Sequence, residues 1–256
     1  MMSSNQKQAT MNRALFTQRS FDSGRITVLS TLIHRFEEAG DYEVFISRTR
    51  GTPLRLVVSV VEGDAPYQHN LDLSTLQKPE ERECCREEAD LRLHTGGVLG
   101  FYTSQGVSTF QVRIVRLGSK EKEVLLNHAE QIPAGDFFTV TPLRPGLYRV
   151  SDPLNKAEMA LKVVMPPPPE EKKVEKGTKA RGERPASTYR PDEPMLVGVS
   201  KKGFDRREAS LFSGQTLVFQ VQSAARLRVE LEKEDEAVTA PPKKRPAKPG
   251  RAKKQT

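Results

Sequence analysis

Seven cations punctuated by prolines form the densest patch of chemistry in this chain. APPKKRPAKPGRAKKQT, residues 240–256, carries Lys243, Lys244, Arg245, Lys248, Arg251, Lys253 and Lys254 and no acid. Prolines at this spacing forbid a stable helix, so a disordered, extended basic arm is expected. Such an arm neutralises phosphates or acidic surfaces with little sequence preference and with strong salt dependence. Less these seven, the formal net charge of +8 falls to +1 for the rest of the chain, so basicity belongs to the tail. The preceding LEKEDEA is acidic and can compete for the arm within the molecule.

The other residues able to do chemistry are scattered. His34, His69, His94 and His128 stand in no HxH, HExxH or HxxxH pattern, so no sequence-local zinc motif exists and each reads as a surface or strand-end residue. Cys84 and Cys85 are adjacent, which strains any bridge between them, and two thiols are too few for a thiolate zinc site or a disulfide framework. Acids also outnumber bases around them in PEERECCREEAD, which dulls thiol reactivity. LHTGGVLGF lacks the Lys-Ser/Thr of a phosphate loop and reads as a hairpin turn. FSGQT and LSTL lack the Gly-x-Ser-x-Gly elbow, and Glu37-Glu38 reads as a solvated pair before a glycine turn. With no catalytic constellation in local sequence, the reading is a non-enzyme without a cofactor.

The elements that would position these residues are strands. GRITVLST, DYEVFISRT and PLRLVVSVVE alternate or run β-branched between glycine and proline turns. GDAPYQHN reads as a loop, and LSTLQKPEERECCREEAD as a surface helix or connector. DLRLHT, VLGFYT, TFQVRIVRLG, KEVLLNH, DFFTVTP, GLYRV and MALKVVM follow as seven short strands. Val107, Phe110, Val112, Ile114 and Leu117 are candidates for one core face. Residues 166–194 have linker composition, and MLVGVSKKGF, REASLF, QTLVFQVQ and ARLRVELE then restore the strand pattern. EAGDYEVFI, PAGDFFTV, RPGLYRV and FSGQTLVF share a glycine turn before an aromatic or β-branched strand, either common hairpin grammar or a duplication.

NHAEQIPAGDFFTVTPLRPGLYRVSDPLNKAEMALKVVM resembles the C-terminal half of a cupredoxin, and GFDRREASLFSGQTLVFQV (203–221) resembles that family's N-terminal strands. Laid on the family, the early His falls near His128, the Met near Met159, the Cys position at Asp152 and the second His near Asn155. Hard oxygen donors do not replace a thiolate and an imidazole, so the resemblance implies a hairpin without blue-copper chemistry. A weak site of His128, Asp152 and Met159 is the metal-binding alternative. Without a ligand, Tyr148, Val150, Met159, Leu161 and Val163 read as core, with a turn from Asp152-Pro153 held by Asn155. HRFEEAGDYEVFISRTRGTPLRLVVSVVEG likewise resembles jelly-roll accessory domains and immunoglobulin-like modules, which implies core roles for Phe36 and Tyr42.

The expectation is an all-β protein of antiparallel β-sandwich domains, cupredoxin-like or Ig/jelly-roll-like, joined by charged linkers. Its divisions are a flexible 1–20, a β block at 21–62, a charged connector at 63–90 and a sandwich at 91–165 with the cupredoxin-like hairpin at 133–165. A linker at 166–194, a four-strand segment at 195–236 and the basic tail at 237–256 follow. The four strands either dock on an earlier block or complete a partner's sheet. No segment reaches membrane-spanning length and no signal-peptide core precedes the strands, so a cytoplasmic location is expected, with Met1 and Met11 both possible starts. The function expected is a non-catalytic binding or scaffold protein. Its sheet surfaces meet a protein partner and its tail meets nucleic acid non-specifically or an acidic surface.

Overall fold

A computed structural model describes residues 13–48, 53–76, 90–118, 123–166 and 192–235. Cys84, Cys85 and the seven tail cations lie outside these residues, as does nearly all of the linker. Apart from the short helix α1 (Arg13–Thr17), the described elements are strands. The first group comprises β1 (Ser20–Asp22), β2 (Ser30–Arg35), β3 (Gly40–Arg48), β4 (Leu54–Val61), β5 (Gln68–Asp72), β6 (Asp90–His94), β7 (Val98–Tyr102) and β8 (Phe110–Arg116). The second comprises β9 (Val124–Asn127), β10 (Phe137–Val140), β11 (Gly146–Asp152), β12 (Ala157–Val164), β13 (Met195–Ser200), β14 (Gly203–Phe204), β15 (Glu208–Phe212), β16 (Leu217–Val221) and β17 (Arg228–Glu234).

These strands form three sheets, ordered β6-β4-β3-β8-β9, β1-β17-β11-β12-β15 and β14-β13-β16-β10-β2-β7-β5. The order encodes a duplication. β3 pairs antiparallel with β4 and β8, and β11 does the same with β12 and β17. β4 runs parallel to β6 as β12 does to β15, and β7 runs parallel to β5 as β16 does to β13. β2 pairs antiparallel with β7, and β10 with β16. The two units meet where β2 and β10 pair antiparallel, Leu32 opposite Phe138, which makes one seven-stranded sheet of their two smaller ones. Each unit's leading strand also completes the other unit's sheet: β1 joins β17, and β9 joins β8.

Sequence equivalents follow the topology. Ile26 and Ile132, Gly40 and Gly146, Tyr42 and Tyr148, and Val44 and Val150 all lie 106 residues apart. Leu93-His94-Thr95-Gly96-Gly97-Val98-Leu99-Gly100-Phe101 matches Leu211-Phe212-Ser213-Gly214-Gln215-Thr216-Leu217-Val218-Phe219 as Leu-x-Ser/Thr-Gly-x-x-Leu-x-Phe. Here the leucines and Phe fill the core, and the glycine at positive φ makes a turn that carries the chain from one sheet to the next, where the sequence suggested a hairpin. The duplication also accounts for an unusual backbone, since Leu29 holds φ 65° where its equivalent, Gly135, holds φ 92°.

Period-2 alternation buries one side of most strands, as in β4, β8, β11, β12 and β16, and the buried side chains of all three sheets belong to one apolar cluster. Each fully buried Phe, Leu or Val in it contributes about 1.5–3 kcal/mol. Phe36 and Tyr42 are core residues with rings 5.0 Å apart, and Tyr148, Val150, Met159, Leu161 and Val163 are buried as the alternation requires.

Several expectations need correction. The sheets are mixed rather than purely antiparallel, since β4–β6, β5–β7, β12–β15 and β13–β16 run parallel. Val107 is 84% exposed and Leu117 lies at the surface, so of that candidate face only Phe110, Val112 and Ile114 enter the core. GDAPYQHN contributes to a strand, β5, which the loop reading missed because parallel edge pairing leaves no alternating apolar signature. Residues 91–165 do not make a sheet of their own: β6 to β9 complete the first unit's sheets, while β10 to β12 join β13 and β15 to β17. Strands of 195–236 therefore pair within the chain. No helix among the described residues is long and apolar enough to cross a membrane.

Candidate functional site

The junction of the two units creates a polar corner. On β2, Ser30, Leu32 and His34 point inward because they share one face of the pleat. Continuing the β2–β10 register past Ile33 and Phe137 sets His34 opposite Asp136. Both are buried, His34 to 4% exposure and Asp136 to 1%. The imidazole Nδ1 lies 2.8 Å from Asp136 Oδ2 and 3.0 Å from Oδ1, and the Arg35 backbone N–H donates to Oδ1 at 3.2 Å. A carboxylate accepts, so Nδ1 carries a proton, and in the neutral imidazole Nε2 then presents a lone pair. That Nε2 is buried and has no hydrogen-bond partner. The Phe36 ring meets the imidazole edge-on at 4.8 Å and fixes its plane.

His34 and Asp136 line a cavity of about 170 Å³. Its wall includes Tyr42, whose hydroxyl donates to the Glu38 carbonyl at 2.8 Å. Burial raises the Tyr42 phenol above its ordinary value against the opposing pull of Arg116. The Arg116 guanidinium lies 5.9 Å from the centre of the Tyr42 ring, bonds Glu38 and comes within 4.0 Å of Glu123.

The duplication supplies an internal control. Where the first corner has His34, Asp136 and Arg116, the register-equivalent corner has Val140, Ser30 and Leu231. The backbone device persists, with the Tyr148 hydroxyl donating to the Arg144 carbonyl at 2.8 Å and burial pushing that phenol up to about 12. Ser30 is satisfied locally, its hydroxyl donating to the Thr27 carbonyl at 2.9 Å and accepting the Thr27 N–H. The same strand pairing thus occurs at a corner that holds Val140, Leu231 and a locally satisfied Ser30 in place of the His–Asp pair.

The other residues singled out from the sequence lie elsewhere. His128, just past the end of β9, is fully buried, and its Nδ1 lies 2.8 Å from the Val112 nitrogen and 3.0 Å from the Val112 carbonyl oxygen. Burial depresses its pKa to about 4, assisted by the Arg226 charge and opposed by Val112 and Asp22. Asp152 closes its turn: Oδ1 accepts N–H groups of Leu154 and Arg226 at 3.1 Å and of Asn155 at 3.4 Å, and Oδ2 accepts the Asn155 side chain at 2.6 Å. Met159 sits in the core opposite Val150. Among the described residues no group of three or more His, Cys, Asp or Glu is placed to hold a metal ion. His69 makes a surface hydrogen bond to the Arg92 carbonyl, and His94 stacks against Tyr67 at 4.2 Å.

Sequence reasoning missed the His34–Asp136 pair because 102 residues separate its members. One signal was present. In STLIHRF, Leu32 and Phe36 fix the inward face, and His34 falls between them on that face. No protein-family model, curated protein or solved structure matches the chain.

Proposed function

We propose that the protein is a non-catalytic binding or scaffold protein built from two β-sandwiches that share their central sheet. The observation that supports this reading is the β2–β10 junction. It fixes two copies of one unit in a single geometry and leaves β5, β6, β9, β14, β15 and β1 at sheet edges. An edge strand can accept an extended segment of a partner through main-chain hydrogen bonds. Buried side chains of all three sheets share one apolar cluster, which supports packing of sheet on sheet as in sandwich folds. The basic tail adds electrostatic contact with nucleic acid or an acidic surface through Lys243, Lys244, Arg245, Lys248, Arg251, Lys253 and Lys254.

The test is a pull-down from native lysate, with and without nuclease, using the full chain and a chain ending at Ala240. A protein partner retained by both chains after nuclease supports the sheets as the binding surface. Nucleic acid held only by the full chain, and released by moderate salt, supports the tail's role. Turnover of a substrate by the purified protein would overturn the non-catalytic reading.

A further inference from the structure

The corner at His34 has the attributes of a ligand site that the fold itself does not require. We infer that the cavity beside His34 and Asp136 binds a single basic group, the ammonium or guanidinium of a lysine or arginine side chain. Four observations converge. First, His34 Nε2 is buried without a hydrogen-bond partner, and burying a polar atom unpaired is costly, so a ligand N–H admitted to the neutral imidazole by a small side-chain movement gains a hydrogen bond the protein does not supply. Second, carboxylates outnumber fixed cations around the cavity: Glu37, Glu38, Glu123 and Asp136 against Arg35 and Arg116. Third, Phe36 and Tyr42 give the wall aromatic rings, on which cationic groups are favoured and alkyl stems pack. Fourth, the register-equivalent corner replaces His34, Asp136 and Arg116 with Val140, Ser30 and Leu231, so these polar side chains are not imposed by the architecture.

Size agrees with this ligand class. A volume of about 170 Å³ is comparable with cavities that take up one small organic group. That accommodates the end of one long side chain and is too small for a nucleotide or a folded element. Asp136 holds the imidazole with Nδ1–H towards the carboxylate, which in the neutral ring leaves Nε2 to accept, and Asp136 is therefore a positioning residue. Arg116 works against the ligand, because it occupies Glu38 and covers the Tyr42 ring.

The experiment uses Nα-acetyl-lysine N-methylamide and its norleucine counterpart, which differ at the side-chain end by ammonium against methyl. Binding is followed by NMR titration of the full-length protein, including the imidazole nitrogens of His34. The lysine probe is expected to bind saturably, at least about tenfold tighter than norleucine, and to shift Nε2 from an unprotonated to a hydrogen-bonded resonance. The paired substitution His34→Val with Asp136→Ser, which copies the other corner, is expected to abolish the difference between probes. Arg116→Leu is expected to tighten lysine binding severalfold by freeing Glu38 and the Tyr42 ring.

A chain ending at Ala240 separates the sources of the basic group. If the lysine probe binds the shortened chain markedly tighter than the full chain, the native occupant is the protein's own tail. Equal binding by both chains assigns the site to a basic side chain of a partner. Failure of the lysine probe to outbind norleucine in both chains, or an Nε2 resonance that does not move, overturns the inference.

Discussion

Gly40 and Gly146 occupy equivalent positions at the starts of β3 and β11, yet alanine at the two should have different costs. Both have strongly positive φ, 149° and 155°, where a Cβ is strained, so each substitution carries about 1–3 kcal/mol of backbone strain. Their surroundings differ. A Cβ on Gly40 meets nothing closer than Arg116 Nε at 3.6 Å, an ordinary contact. A Cβ on Gly146 falls 2.3 Å from the Lys233 carbonyl oxygen, 2.8 Å from Leu231 Cδ1 and 3.1 Å from Glu234 Cα. Two of these are backbone of β17, beside the irregularity where the β11–β17 register shifts between Leu147 and Tyr148, and backbone cannot rotate aside. Relieving such a clash adds about 1–3 kcal/mol. Gly40→Ala should therefore cost about 1–3 kcal/mol and Gly146→Ala about 2–6 kcal/mol, the upper end approaching the whole stability of a domain. Urea unfolding with an unchanged m-value measures both. Equal losses from the two substitutions would refute the close passage of β17 over Gly146.

Two further outcomes follow from buried groups. His128 binds a proton less readily folded, at about 4, than its ordinary value of 6.5. The unfolded chain takes up the proton first, so stability is complete above about pH 6.5 and declines as pH falls towards 4, by up to roughly 3 kcal/mol. A His128→Gln variant should show a flatter stability profile between those values, read by urea midpoints across pH. Asp152→Ala should cost about 2–4 kcal/mol, because it strands the Leu154, Asn155 and Arg226 N–H groups, while Asp152→Asn should cost less. Thermal unfolding of the two variants side by side would show the order.

Strand positions were legible because alternation and glycine turns are local. EAGDYEVFI and RPGLYRV display their kinship through Gly-x-Tyr, since both units need a glycine where φ is positive and a tyrosine that reaches back to the carbonyl four residues earlier. PAGDFFTV concealed its relative: TVLSTLIH has Leu29 where the second unit has Gly135, so the turn signal is missing although the backbone bend remains. Pairing was not legible. The pairing of β1 with β17, and the parallel pairs β5–β7 and β13–β16, join strands that no hairpin turn links. His34 reads from sequence as a surface or strand-end residue because no local motif surrounds it; the long-range register with β10 puts it inside.

The central claim is that the His34–Asp136 corner serves binding rather than folding. Its most direct test is the unfolding free energy of the paired variant His34→Val with Asp136→Ser. Because the register-equivalent corner holds Val140 and Ser30, and replacing both partners of a buried hydrogen bond together can be nearly neutral, stability should stay within about 1 kcal/mol of the parent or rise. A loss of more than about 3 kcal/mol would show that the pair holds the two units together and would contradict a binding role.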